Sequence, residues 1–147
     1  MMSGLDSIPV KVEGATEASF RTENLRPLLL QVEEALQNLV DNDESMTIDL
    51  GAMPFSAQDE ADLRERLGQG EVNAEIMAFG PTIVEETAYP GVWLVELKDA
   101  EDRRLTLHLE ITRVPEILVA PIDDVRDGLT ALREAQATTE QGAGHAV

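Results

Sequence analysis

The chain has 147 residues, enough for one domain with a single hydrophobic core and too few for two ordinary ones. Eleven basic against 29 acidic side chains leave a formal net charge of −18, which repels nucleic-acid backbones and anionic lipid surfaces alike. Cysteine is absent, which excludes disulfides, thiolate catalysis, zinc ribbons and cysteine-ligated iron–sulfur clusters, and no cofactor is expected.

The apolar fraction is 43%, yet the aromatic residues are only Trp93, Tyr89 and three phenylalanines, so the core must be aliphatic. A charged n-region followed by an apolar h-region is missing, and no apolar run approaches bilayer length. A cytoplasmic location is therefore expected. Residues 1–22 and 138–147 mix Gly, Ser, Thr and charge without a period and read as mobile ends around a single domain at 23–137.

From Asn24 the pattern turns helical, with Leu25, Leu29, Val32, Leu36, Leu39 and Val40 recurring at three and four residues. Pro27 fits the first turn, where no amide partner is lost, and Asp41, Asn42 and Asp43 end the run. Met46, Ile48 and Leu50 then alternate with Thr47 and Asp49 as in a short strand. Ser56 stands as N-cap of a second helix, with Asp59 and Glu60 near its positive end and Leu63 and Leu67 on one face. Glu60 with Arg64 and Asp62 with Arg66 have the spacing of i,i+4 ion pairs.

Four strands follow: Val72 to Ala78, Thr82 to Ala88, Val92 to Lys98 and Arg104 to Ile111. Gly80-Pro81, Tyr89-Pro90-Gly91 and Asp99 to Asp102 are the turns between them, short enough to make neighbours antiparallel. Beyond Pro115 and Pro121, Ile122, Val125, Leu129 and Leu132 carry a last helix with Asp123 and Asp124 at its start and Gly128 weakening it. The fold class is α+β: a mostly antiparallel sheet of about five strands with three helices packed on it, in the order α-β-α-β-β-β-β-α.

The stretch LGQGEV, Leu67 to Val72, poses the first chemical question. A phosphate-binding turn leads from a strand into a helix, so that free amides and the positive end of the dipole face the anion. This one leads from a helix into a strand, Gly68 falls at the C-cap, and Glu71 would repel the anion. Metal ligation has little to draw on, since the histidines are His108 and His145. His108 shares a strand face with Thr106 and Glu110, which reads as the wet side of a half-buried strand. A nucleophile elbow and a Ser-His-Asp set are both missing. Trp93 shares a face with Val95 and Leu97, and serves either core packing or as an interface anchor.

Taken in order, the IDL of Ile48 to Leu50, the helix ending in LGQGEV, the strand acid ahead of YPGVWLVEL, and RVPEILVAPIDDV resemble the conserved domain of the HupH/HyaF family of hydrogenase expression/formation proteins. The likeness runs from about Leu25 to Leu132 in a single copy, with LGQGEV and PGVW as its most specific pieces. It implies a non-catalytic accessory or chaperone role in maturing a [NiFe] uptake hydrogenase. The implied partners are the precursor of the iron–sulfur small subunit, before export, and a thioredoxin-like accessory protein. The family brings no catalytic residues to carry over. The partner surface expected here consists of Gly68, Gly70 and Glu71 at the turn, Glu86 in the strand ahead, and Gly91 and Trp93. Two other readings stand beside it: a small acid/base enzyme using Glu86, Glu110 and His108, and a structural homodimer joined through an exposed strand edge.

Overall fold

The apolar stripe that opens at Leu25 forms helix α1, Leu25–Asn42, in a computed structural model that describes residues 20–146, with side chains described as far as 140. Leu28, Val32, Ala35 and Leu39 are its buried residues, one per turn, and Asp43 ends it in the left-handed conformation with its N–H donating to the Leu39 carbonyl at 2.9 Å. Strand β1, Met46–Asp49, follows, and then a 3-10 turn at Leu50–Ala52 whose Gly51 N–H is capped by Asp49. Helix α2, Ala57–Leu67, starts with a capping box: the Ser56 hydroxyl accepts from the Asp59 N–H, and the Asp59 carboxylate accepts from the Ser56 N–H.

Strands β2 (Asn73–Met77), β3 (Pro81–Glu86), β4 (Val92–Lys98) and β5 (Arg104–Ile111) complete an antiparallel five-stranded sheet in the order β1-β5-β4-β3-β2. The last three connections are hairpins between neighbours. Strand β1 pairs with β5, Ile48 opposite Leu109, which places the earliest strand at the edge farthest from β2. Among the described residues there are three α-helices, and their order with the strands is the one expected from the sequence.

The main core lies between one sheet face and the first two helices. Leu63 and Leu67 of α2 and the buried stripe of α1 pack with Ile48, Val92, Leu94, Leu107, Leu109 and Ile111. On the opposite face Val84, Trp93 and Val95 are also buried, and Thr106 carries a buried hydroxyl without a hydrogen-bond partner among the described residues. His108 is half-buried there, opposite Val95. That face is therefore drier than the alternation of RLTLHLEI suggests. Its dryness also explains why β4, at the centre of the sheet, is apolar on both sides.

By contact density, residues up to Arg113 form one compact unit and those from Val114 a second. The second contains a 3-10 turn at Glu116–Leu118 and helix α3, Ile122–Ala146, with Asp123 and Asp124 in its first turn. Helix α3 continues through 138–146, where the sequence suggested a loose tail. Residues 1–19 of the N-terminal segment lie outside the described residues.

Candidate functional site

The expected partner residues divide into three places. Gly68 ends α2 with a φ of 67° and donates its N–H to the Arg64 carbonyl at 2.9 Å. The chain then runs beside the end of β3: Gly70 N–H donates to the Glu86 carbonyl at 2.8 Å, and Glu86 N–H donates to the Val72 carbonyl at 2.9 Å. Glu86 also turns its carboxylate back, accepting from Glu71 N–H at 3.0 Å. Gly68, Gly70, Glu71 and Glu86 thus form one clasp. A Cβ on Gly70 would lie 2.4 Å from the Thr87 carbonyl oxygen and 2.6 Å from Glu86 Oε1, so only glycine allows this approach. The amides of Gly68, Gly70 and Glu71 are all engaged within the protein and are not offered to a phosphate.

Gly91 stands apart from the clasp, in the turn under α1. Its φ is 94°, and a Cβ there would meet Leu36 and Leu39 at 3.4 and 3.5 Å. Trp93 lies on the sheet face away from the first two helices; it is only 5% exposed, and its indole N–H donates to the Thr112 carbonyl at 3.1 Å. Glu86 and Glu110 are its cross-strand neighbours on either side. Because β4 lies between them, their backbones are two strand spacings apart, roughly 10 Å. His108 is on the same face, two positions along β5. Glu86, Glu110 and His108 share a face in a row rather than meeting at a point, and among the described residues no group of three acidic, His or Cys side chains could hold a metal.

Two charged clusters escaped the sequence pattern because their partners are distant in the chain. Asp59 is buried, and its carboxylate accepts from Thr22 N–H at 3.1 and 3.2 Å, from Thr22 Oγ1 at 2.6 Å and from Ser56 N–H at 2.9 Å. Burial pushes its pKa up, but the hydrogen bonds from Ser56 and Thr22 outweigh burial and hold it below the usual carboxylate range. Arg104 grips Glu60 through both terminal nitrogens, at 2.6 and 3.0 Å, and Glu96 through Nε at 2.5 Å. The Arg104 hydrogen bond, against the opposing effect of burial, lowers the Glu60 pKa; Glu60 in turn raises that of Arg104. Both clusters anchor α2, one to the segment preceding α1 and the other to the sheet.

The Asp59 cluster has a neighbour with a consequence. Asp62, which the spacing paired with Arg66, bonds instead to Arg21 at 2.8 Å and to Gln58 at 2.9 Å. Among the described residues Arg66 has no ion pair, nor have Arg26 and Arg133, whereas every other described Arg or Lys has one. Arg66 borders a groove of about 320 Å³ whose apolar lining comes from Leu29, Val32 and Leu36 of α1 together with Leu67, Tyr89 and Val92. Arg26 lies with Arg66, Leu25 and Leu29 on the adjoining hollow. Tyr89, 53% exposed, is the large aromatic at the rim. The sequence signals for this groove were an arginine assigned to the wrong partner and a tyrosine read only as part of a turn.

The arrangement is that of a small α+β protein with a helix-covered sheet, a structural clasp and an open apolar groove. Residues 22–139 match the family described as HupH hydrogenase expression protein, C-terminal conserved region, and the chain belongs to that family. It is 32% identical over 119 residues to the hydrogenase expression/formation protein HupQ of Azotobacter chroococcum mcd 1, covering 80% of this chain and 42% of that protein. To HupH of Rhizobium leguminosarum bv. viciae it is 29% identical over 111 residues, covering 76% of this chain and 39% of that protein. The chain thus spans about two fifths of the length of these relatives. The solved structure of hydrogenase expression protein HupH from Thiobacillus denitrificans ATCC 25259 superposes with a TM-score of 0.76 at 36% identity, covering 80% of this chain and 98% of that one.

Proposed function

We propose that this chain is a non-catalytic accessory protein in the maturation of a [NiFe] uptake hydrogenase, working in the cytoplasm on the iron–sulfur small-subunit precursor before export. The observation that carries the reading is its membership of the HupH family, whose match takes in the sheet and the two helices packed on it. The relatives are named hydrogenase expression/formation proteins, which supports an accessory role. A protein without cysteine offers no thiolate to compete for cluster iron. Among the described residues no helix is long and apolar enough to cross a membrane.

The test is affinity capture of the tagged chain from cells expressing a hydrogenase operon. Specific recovery of the small-subunit precursor, with no chemical change in that subunit caused by the chain alone, is the expected result. Recovery of no hydrogenase subunit while the operon is expressed would sink the maturation reading.

A further inference from the structure

The groove between α1 and the Tyr89 turn combines two features that oppose the rest of the molecule. Its lining is apolar and open to solvent, and its rim carries two arginines that pair with nothing among the described residues. Three arginines, Arg26, Arg66 and Arg133, make no ion pair among the described residues. Two of them share this rim, and Asp62, the carboxylate spaced to pair with Arg66, bonds instead to Arg21. Glu33 on the apolar groove and Glu23 on the adjoining hollow are the acidic groups nearby, so the rim is locally balanced while the surface around it is strongly negative.

We propose that this groove docks a segment of a partner protein in which apolar side chains are flanked by carboxylates. The apolar side chains occupy the space lined by Leu29, Leu36 and Tyr89, and the carboxylates pair with Arg26 and Arg66. Arginine suits this task because its planar fork takes a carboxylate by two parallel hydrogen bonds. The proposal rests on the reading of the chain as a binding protein, and adds where the partner binds and what chemistry it brings. The two guanidinium groups decide the occupant: both line the hollow beside the apolar groove, where a single carboxylate, that of Glu23, stands against them, and neither has an ion pair among the described residues. Long-range attraction to a highly acidic protein favours basic peptides, so a preference for an acidic one can come only from a local site.

The test uses a short fluorescein-labelled peptide of alternating leucine and aspartate, and its counterpart with lysine for every aspartate, titrated with the full chain and followed by fluorescence polarisation. The aspartate peptide is expected to bind more tightly than the lysine peptide. Its affinity should fall about tenfold or more in the Arg26→Glu/Arg66→Glu double variant and largely survive Arg26→Lys/Arg66→Lys. Both arginines are exposed, so the variants should melt like the wild type, which a thermal scan verifies. Equal binding of the two peptides, or preference for the lysine peptide, overturns the proposal. A dimer that the double variant dissolves would give the groove to a second copy, and tighter peptide binding after Leu5→Lys/Asp6→Lys would give it to the chain's own N-terminal segment; either overturns the partner assignment. Capture of the hydrogenase precursor by wild type and double variant alike would overturn the groove while leaving the maturation role in place. Arginine-dependent preference for the aspartate peptide without capture of any hydrogenase subunit would do the reverse.

Discussion

Replacing Gly70 by alanine tests the clasp directly. The added Cβ would stand 2.4 Å from the Thr87 carbonyl oxygen, 2.6 Å from Glu86 Oε1 and 2.8 Å from Glu86 Cγ. The carboxylate can swing away, but the Thr87 carbonyl is backbone: Thr87 N–H is bonded to the Val92 carbonyl at 3.0 Å, and its neighbour Ala88 N–H to the Leu67 carbonyl at 2.9 Å. The turn must therefore move outward. That motion breaks the bonds from Gly70 N–H to the Glu86 carbonyl and from Glu71 N–H to its carboxylate, at about 1 kcal/mol each, and leaves residual strain of about 1 kcal/mol. The expected loss is about 3 kcal/mol. With a urea dependence of about 1.5 kcal/mol per molar, the unfolding midpoint drops by about 2 M at unchanged slope. A midpoint within about 0.3 M of wild type would show that the turn yields freely and that the clasp does not hold α2 to the sheet.

Asp59→Asn keeps the side-chain shape but removes the charge that four hydrogen-bond contacts from Thr22 and Ser56 satisfy, and should cost about 2 kcal/mol at neutral pH by the same denaturation assay. Because Asp59 and Glu60 both have lowered pKa values when folded, the unfolded chain takes up their protons first as pH falls. Their contribution is complete above the ordinary carboxylate range and is lost as the pH drops through and below it. Asp59→Asn should therefore flatten the acid limb of a stability–pH profile, and an unchanged limb would refute the assignment. Leu63→Ala, at a fully buried position between α2 and the sheet, should cost about 3 kcal/mol in a urea titration. Gly128→Ala, where a Cβ meets nothing within 4 Å, should instead stabilise α3 by about 1 kcal/mol, seen as helical ellipticity retained to higher temperature.

Local chemistry made the elements readable. Ser56 and Asp59 announce the start of α2 because capping geometry involves only neighbouring residues, and the β4 and β5 boundaries match the expected ranges because short turns confine them. The place of β1 was not readable. It pairs with β5 across more than fifty intervening residues, and a pattern of alternation says which side chains share a face but not which strand lies alongside. Asp62 makes the same point for charge: its spacing suits Arg66, yet Arg21 reaches it across the fold.

The candidate surface divides along the same line. That LGQGEV is a turn leading out of a helix, poorly suited to an anion, follows from the order of its residues, because direction along the chain determines which end of the helix dipole it meets. That the turn clasps Glu86, that Trp93 lies buried between Glu86 and Glu110, and that Arg66 lines an apolar groove are outcomes of tertiary packing. Composition, period and capping act within a few residues and are written in the sequence. Burial, the choice of ion-pair partner and the convergence of a groove depend on segments far apart in the chain, and only their assembly decides them.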